Sequence, residues 1–485
     1  MSGEGAFRTL GAMATPSVTR PAAVPGPGAT VAETPAGRWP WVGLAVVLLL
    51  VVAATVVPPL VGWDVLARDD DRGTPPTHGF VDVKVGLGTL PAVVLALLAW
   101  RYAAGLAARL PWRALLLVSF LAGLAWMVSL ALVDGEAGLT RVLGNPYEYL
   151  PTAREVDSVP VMLDEYVDRI PYAHPDNWVV HVAGHPPLAL LFFVGLVRIG
   201  LGGDLAAALV VVVLAATTAV AVLVALRALG AEAAARRVAP LLVLAPSAVY
   251  MAVSADALFA AVAAWGLAAL ALGATARDRG RPTGVVVAWS VLAGLLLGCC
   301  VLLSYGLPLL GLLAVTILFL ARSWLPLPVA AVAALVPVLL MAAAGFAWWE
   351  AYPVLHERYF DGLGGERTAA YWAWGNLAAL AFATGPLVGA GVARLAQLGV
   401  TRRARTALAA TPDRVVAGLA AAALATIAVA DVSGMSKAEV ERIWLPFMPW
   451  LLLSLALLPA RWRSLGLALQ LVCALLVQHL LYTSW

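Results

Sequence analysis

Along most of the chain the apolar residues neither alternate nor form a helical stripe; they run on without interruption for the length of a whole helix. Such runs are apolar all round, the pattern of helices covered by lipid or by other apolar helices. A bilayer core of about 30 Å needs about 20 helical residues. On that basis the sequence predicts thirteen spans, near 41–63, 85–107, 114–134, 205–226, 238–253, 257–275, 283–303, 306–321, 324–347, 371–394, 413–431, 444–460 and 464–483. One further apolar run, Pro186 to Gly200, reaches only about 22 Å as a helix. It is expected to lie on the outer surface as a juxtamembrane helix. The fold class expected is therefore an all-α polytopic membrane protein.

Composition closes off the alternatives. Of 485 residues, 62% are hydrophobic and 12% charged, about half the charge of a soluble protein. That excludes a string of soluble domains, a mostly disordered chain and a secreted disulfide scaffold. The net charge of +3 gives no bulk attraction to a polyanion, so nucleic acid is not an expected partner. Cys299, Cys300 and Cys473 lie in apolar runs without metal-ligand spacing. Arginine far outnumbers lysine beside heavy Ala, Val and Gly usage, which points to a high-G+C bacterial genome.

Residues 1–38 are rich in Pro, Gly, Ala and Thr and lack periodicity, which predicts a disordered tail. Two transmembrane helices joined by an outer loop follow over 39–112. A core over 113–485 carries the long polar outer loop 135–204. With the N-terminus in the cytoplasm, alternate loops collect most of the 31 basic residues. By the positive-inside rule those loops are cytoplasmic. The opposite face collects most acids and nearly all six histidines. A multi-pass plasma-membrane protein with an extracytoplasmic active face is expected.

Within 135–204, acids, aromatics and histidines gather beside the bilayer. His185-Pro186-Pro187-Leu188, with the apolar helix ending at Gly200-Leu-Gly-Gly203, resembles the loop end of the glycosyltransferase C superfamily. The resemblance is to its protein O-mannosyltransferase and aminoarabinose-transferase-like branches. Tyr147-Glu148-Tyr149-Leu150 with Ala153-Arg154 resembles the family's acidic segment, with a single Glu148 where Asp-Glu is more usual. Pro246-Ser247 followed by Ser254-Ala255-Asp256-Ala257-Leu258 resembles its short helix pair with an acid near the outer tip. Glu441-Arg442-Ile443-Trp444-Leu445-Pro446 resembles the entry into a late helix, with Ile443 in place of Tyr. The resemblance covers about 120 to 450. It implies a polyprenyl-phosphate-linked sugar as donor, of mannose or arabinose type, and a glycan, glycolipid or protein hydroxyl as acceptor. The expected reaction is an inverting displacement.

Roles follow from residue chemistry. A carboxylate beside the membrane takes the proton of an attacking hydroxyl; Glu148 is the first choice, with Asp164 and Glu165 as rivals. His181 and His185 are four apart and would share a helix face, but Gly184 and the prolines break a regular helix. No Glu occupies the zincin position. His185 is a candidate for contact with the donor phosphate or sugar, with a structural role in setting the Pro-Pro turn as the alternative. Asp256, an acid in a very apolar hairpin, is expected to face a cavity or the interface. Phosphate recognition calls for guanidinium or ammonium groups. The outer-face candidates are Arg442, Lys437, Arg358 and Arg367, with Arg442 leading. Asp69, Asp70 and Asp71 have the oxygens to hold a divalent cation, while nearby Gly73 and Pro75 favour a solvated turn. The Trp348-Trp349 and Tyr371-Trp372-Ala-Trp374 clusters read as an interfacial belt, with sugar stacking as the alternative. A second function fits the same pattern: a transporter or flippase of a lipid-linked envelope precursor. A non-catalytic scaffold is the third.

Overall fold

In the computed structural model, which describes residues 36–68, 73–400 and 402–483, the chain is almost entirely helical. The one sheet is an antiparallel pair of two-residue strands, Phe80–Val81 with Leu481–Tyr482. The sequence before residue 36 and the run Asp69 to Asp71 lie outside the described residues.

Among the described residues nine helices are long and apolar enough to cross a bilayer: Trp39–Val61, Thr89–Arg109, Trp112–Asp134, Asp204–Ala228, Ala255–Ala274, Thr283–Leu303, Pro326–Ala343, Asp413–Val432 and Ala460–Leu480. Ala369–Thr384 and Leu387–Val400, which meet at 108°, make a tenth if taken as one broken span. This is a multi-pass membrane protein, but among the described residues the expected thirteen spans are not reached.

The shortfall has a physical cause. The expected span 238–253 is a helix, Glu232–Val243, that stops before Leu244 to Ser247 and adds one turn, Ala248–Met251. The 306–321 run is a 3₁₀ turn followed by Gly311–Ala321. The 444–460 run breaks into Met448–Leu451 and a 3₁₀ stretch, Leu452–Leu457, with every side chain buried. Irregular backbone survives at membrane depth only where protein covers it. The segments 232–251 and 448–457 are covered by protein, so they need neither the length nor the regularity of a lipid-facing span. Gly311–Ala321 instead leaves Leu312, Val315 and Phe319 exposed and falls short of a span in length alone.

The Leu188–Arg198 helix is as short as expected, about 16 Å. It buries Leu190, Phe193 and Val194 against its neighbours. Ala255–Ala274 is the most enclosed span, with 83% of its apolar window buried. The neighbouring Thr283–Leu303 helix lies very close to Pro326–Ala343. A Cβ on Gly294 would fall 2.2 Å from the Ala330 carbonyl oxygen, and one on Gly298 2.3 Å from that of Ala334. Two glycines one turn apart thus permit backbone contact, which drives helix association in lipid.

The bend at Gly385 and Pro386 is satisfied from outside. Gln470, fully buried, accepts from the Leu387 N–H at 3.3 Å and donates to the Thr384 carbonyl at 2.6 Å. It stands in for backbone bonds that the break removes.

Arginines fasten the turns at one end of the bundle. Arg236 donates to the carbonyls of Ala107 and Leu110 at 3.0 and 2.8 Å. Arg237 pairs with Asp413, and Arg279 donates to the Ala228 carbonyl. The long segments 62–88, 135–203, 344–368 and 433–447 gather at the other end, where the candidate site lies.

Candidate functional site at the loop end of the bundle

Five segments far apart in the chain deliver charged side chains to one place. Glu148 precedes the Tyr149–Glu155 helix in extended conformation and does not cap it. His181 sits on the single turn Val180–Ala183. Asp256 lies in the first turn of Ala255–Ala274, whose start is fixed by Ser254 accepting from the Ala257 N–H. Arg442 is on the turn Val440–Ile443. His78 comes from the segment between the first two helices.

Arg442 is the hub. It donates to Asp256 Oδ2 at 2.7 Å, to Glu439 Oε2 at 2.9 Å and to His181 Nε2 at 3.0 Å. A guanidinium only donates, so Nε2 must accept, and the imidazole proton sits on Nδ1. That nitrogen lies 2.8 Å from Glu148 Oε1, close in distance but oblique in angle. Catalytic hydrogen bonds often tighten only once substrate is bound. The other carboxylate oxygen, Glu148 Oε2, is buried and has no hydrogen-bond partner.

Glu148, Asp256 and Arg442 are 4%, 3% and 5% exposed. Charges so deeply buried survive only when paired and hydrogen-bonded. Burial opposes the charge on Arg442, but Asp256, Glu439 and Glu148 outweigh it and hold the guanidinium firmly protonated. Glu439 sits in the left-handed region, φ 60°, after Ala438 at φ 70°. Two successive non-glycine residues there store strain, a feature that clusters at functional sites. Burial alone would raise the Glu439 carboxyl, yet His78, Arg442 and Arg367 hold it well below the usual carboxylate range.

An aromatic wall backs the carboxylates. Tyr149 stacks on Phe193, with centroids 5.7 Å apart and planes at 7°. It meets His185 edge-on at 5.7 Å. His185 Nδ1 lies 2.9 Å from the His181 carbonyl. A carbonyl only accepts, so this nitrogen carries the proton and Nε2 a lone pair. Burial pushes the His185 pKa down to about 4, against the pull of Asp256; the ring is therefore neutral near pH 7. Tyr166 donates from its hydroxyl to the carbonyls of Val182 and His185 at 2.9 and 3.1 Å, which fixes the histidine segment.

The structure thus brings together four expected residues: Glu148, His185, Asp256 and Arg442. It leaves Asp164 and Glu165 out. Both are exposed, with Glu165 3.9 Å from Arg169 on the solvent side. Arg358 is buried beside other backbone: it donates to the carbonyls of Ile170 and Trp178 and to Asn177 Oδ1, over the Tyr172 ring. Arg367 donates to the carbonyls of Leu66 and Lys437 and pairs with Glu439 at 3.5 Å. Lys437 donates from Nζ to the Gly364 carbonyl at 2.8 Å. Among the described residues no group of three or more His, Cys, Asp or Glu is arranged to hold a metal ion. Asp69 to Asp71 fall outside them.

The sequence reading gave Glu439, Glu441, His78 and Tyr149 no catalytic or binding role. Glu441 Oε1 accepts the His78 backbone N–H at 3.0 Å, so the segment from the N-terminal helices closes over the site. Tyr149 was legible as the neighbour of Glu148. Nothing local marks His78.

The chain matches no known protein family, characterised protein or solved structure to which it was compared.

Proposed function

We propose that this protein is an integral membrane glycosyltransferase that moves a sugar from a polyprenyl-phosphate donor to an envelope glycan, glycolipid or protein acceptor on the non-cytoplasmic face of the plasma membrane. The observation that carries the reading is the buried chain Glu148–His181–Arg442–Asp256 at the loop end. Its substrate-facing groups are acceptors: Glu148 Oε2 and His185 Nε2. Acceptor groups recognise ligand hydroxyls, and a sugar or a glycan acceptor is rich in them.

In this reading Glu148 Oε2 takes the proton of the acceptor hydroxyl. The freed oxygen attacks the anomeric carbon, and the bond to the lipid phosphate breaks with inversion. His181 holds Oε1 and so aims Oε2, while Arg442 fixes the imidazole tautomer, as the third member of a triad does. Arg442 is already engaged by two carboxylates, which argues against it as the phosphate ligand. Lys437 is better suited: one backbone acceptor leaves N–H groups of its ammonium available. The clustering of arginine-bearing turns at the opposite end supports a cytoplasmic N-terminus by the positive-inside rule.

The 108° break between Ala369–Thr384 and Leu387–Val400 favours the second reading, a carrier of a lipid-linked precursor, since broken helices build transport sites. Purified protein given radiolabelled polyprenyl-phosphate mannose or arabinose separates the two. Transfer lost in Glu148→Gln supports the transferase. Translocation without transfer supports the carrier.

A further inference from the structure

Beside Tyr166 lies a second aromatic group that the proposed reaction does not use. Tyr305, at the tip following Thr283–Leu303, meets Trp348 and Tyr352 on the Trp348–Asp361 helix. Ring centroids are 5.7 Å apart for Tyr305–Trp348 and 5.9 Å for Tyr305–Tyr352. Trp348 and Tyr352 stack at 5.3 Å with planes 2° apart.

Most rings around the loop end have their polar atoms bonded to backbone. Tyr166, Trp178, Tyr371, Trp372 and Trp374 each donate to a carbonyl. Tyr305 and Trp348 do not: the phenol hydroxyl and the indole Nε1 are covered and lack any hydrogen-bond partner. A covered donor left unpaired costs about 1–3 kcal/mol. Trp126, Trp444 and Trp450 also have unpaired indoles, but these residues are at most 1% exposed, so no ligand reaches them. Tyr305, Trp348 and Tyr352 are only half-buried, and exposed Gly306 and Trp349 border them.

We infer that Tyr305, Trp348 and Tyr352 form a saccharide-binding platform, separate from the Glu148 centre, that holds a pyranose or furanose unit. The ring faces carry negative charge density and suit the electropositive C–H face of a sugar. A sugar turning the rings apart gives the Tyr305 O–H and the Trp348 N–H the acceptors they lack. The platform lies near the histidine segment: the ring of Tyr166, whose hydroxyl holds that segment, packs at 5.4 Å on Phe346, two residues before Trp348. It thus sits where the glycan part of an acceptor would extend from the reacting centre. Only that role rests on the glycosyltransferase reading; the binding does not.

The test titrates mannotriose and arabinotriose against the full chain in lipid nanodiscs by calorimetry. Wild type is expected to bind one of them. Tyr305→Phe keeps its ring and Trp348→Phe keeps a smaller aromatic one; each removes one donor and should weaken binding about threefold to tenfold. Gly284→Ala, at the far end of the Thr283–Leu303 helix with open space around it, should bind as wild type does. Wild type that binds neither saccharide, or phenylalanine variants that bind as tightly as wild type, overturn the platform; the rings then serve as a lipid-facing belt. Saccharide binding without sugar transfer overturns the proposed reaction and leaves the platform standing.

Discussion

Glu439 and Glu441 stand two residues apart on one buried turn and are driven in opposite directions. Glu439 is surrounded by His78, Arg442 and Arg367, which overcome its burial and hold the carboxyl ionised. Glu441 is raised, chiefly by burial and further by the neighbouring Glu439 charge, against the pull of the His78 backbone N–H.

The two carboxyls therefore give opposite pH dependences. A group whose folded pKa is depressed adds stability above its unfolded pKa, about 4.3 for Glu, and loses it as pH falls through the folded value. Glu439→Gln should thus lower the melting temperature at pH 7 and have less effect in acid. A raised carboxyl contributes fully below its unfolded pKa and loses that contribution as pH rises through the folded one. Glu441→Gln should be neutral near pH 4 and increasingly stabilising as pH rises. Thermal unfolding of both variants in detergent between pH 2 and 8 decides this; parallel curves would contradict the assignment.

His181 is a positioning residue in this scheme, since it acts through Glu148. His181→Gln should cut the transfer rate roughly 10²-fold with little change in donor KM, and should move the acid limb of the rate profile. Loss of rate with an unmoved profile would mean that the imidazole serves only packing.

Arg358 was a candidate for the lipid phosphate, but its guanidinium fastens the 170–178 segment. Arg358→Met should lower stability by about 1–3 kcal/mol, since it leaves buried carbonyl acceptors without their donor. The donor KM of the fraction that folds should stay near wild type. A selective rise in KM with unchanged stability would return Arg358 to the phosphate.

Gly298 has room for hydrogen alone, because the Ala334 carbonyl lies against it. Gly298→Leu should part the Thr283–Leu303 and Pro326–Ala343 helices and lower the yield of folded protein in detergent. Gly284, with open space around it, is the control: Gly284→Ala should fold normally.

The lipid-facing helices were legible because lipid imposes both length and uniform apolarity, as in Trp39–Val61 and Asp204–Ala228. The covered segments 238–253 and 444–460 carry the same apolar signal without the length requirement, so hydropathy could not separate them from spans. Glu148, Asp256 and Arg442 could be picked out because each is a charge beside apolar sequence. Their contact could not, since Asp256 and Arg442 lie 186 positions apart. Arg358 carries the same signal and serves the backbone instead, while Arg367 is divided between backbone carbonyls and Glu439. Residue type records the cost of burying a guanidinium but not which acceptor offsets it.

The Phe80–Val81 strand finds its partner only at Leu481–Tyr482, roughly 400 residues later. At about 5–20 residues per second, the ribosome needs on the order of 20 to 80 seconds to bridge that interval. The strap bearing His78 is made well before the strand that fastens it. A nascent chain therefore lacks the partner of that strap until Tyr482 has been added.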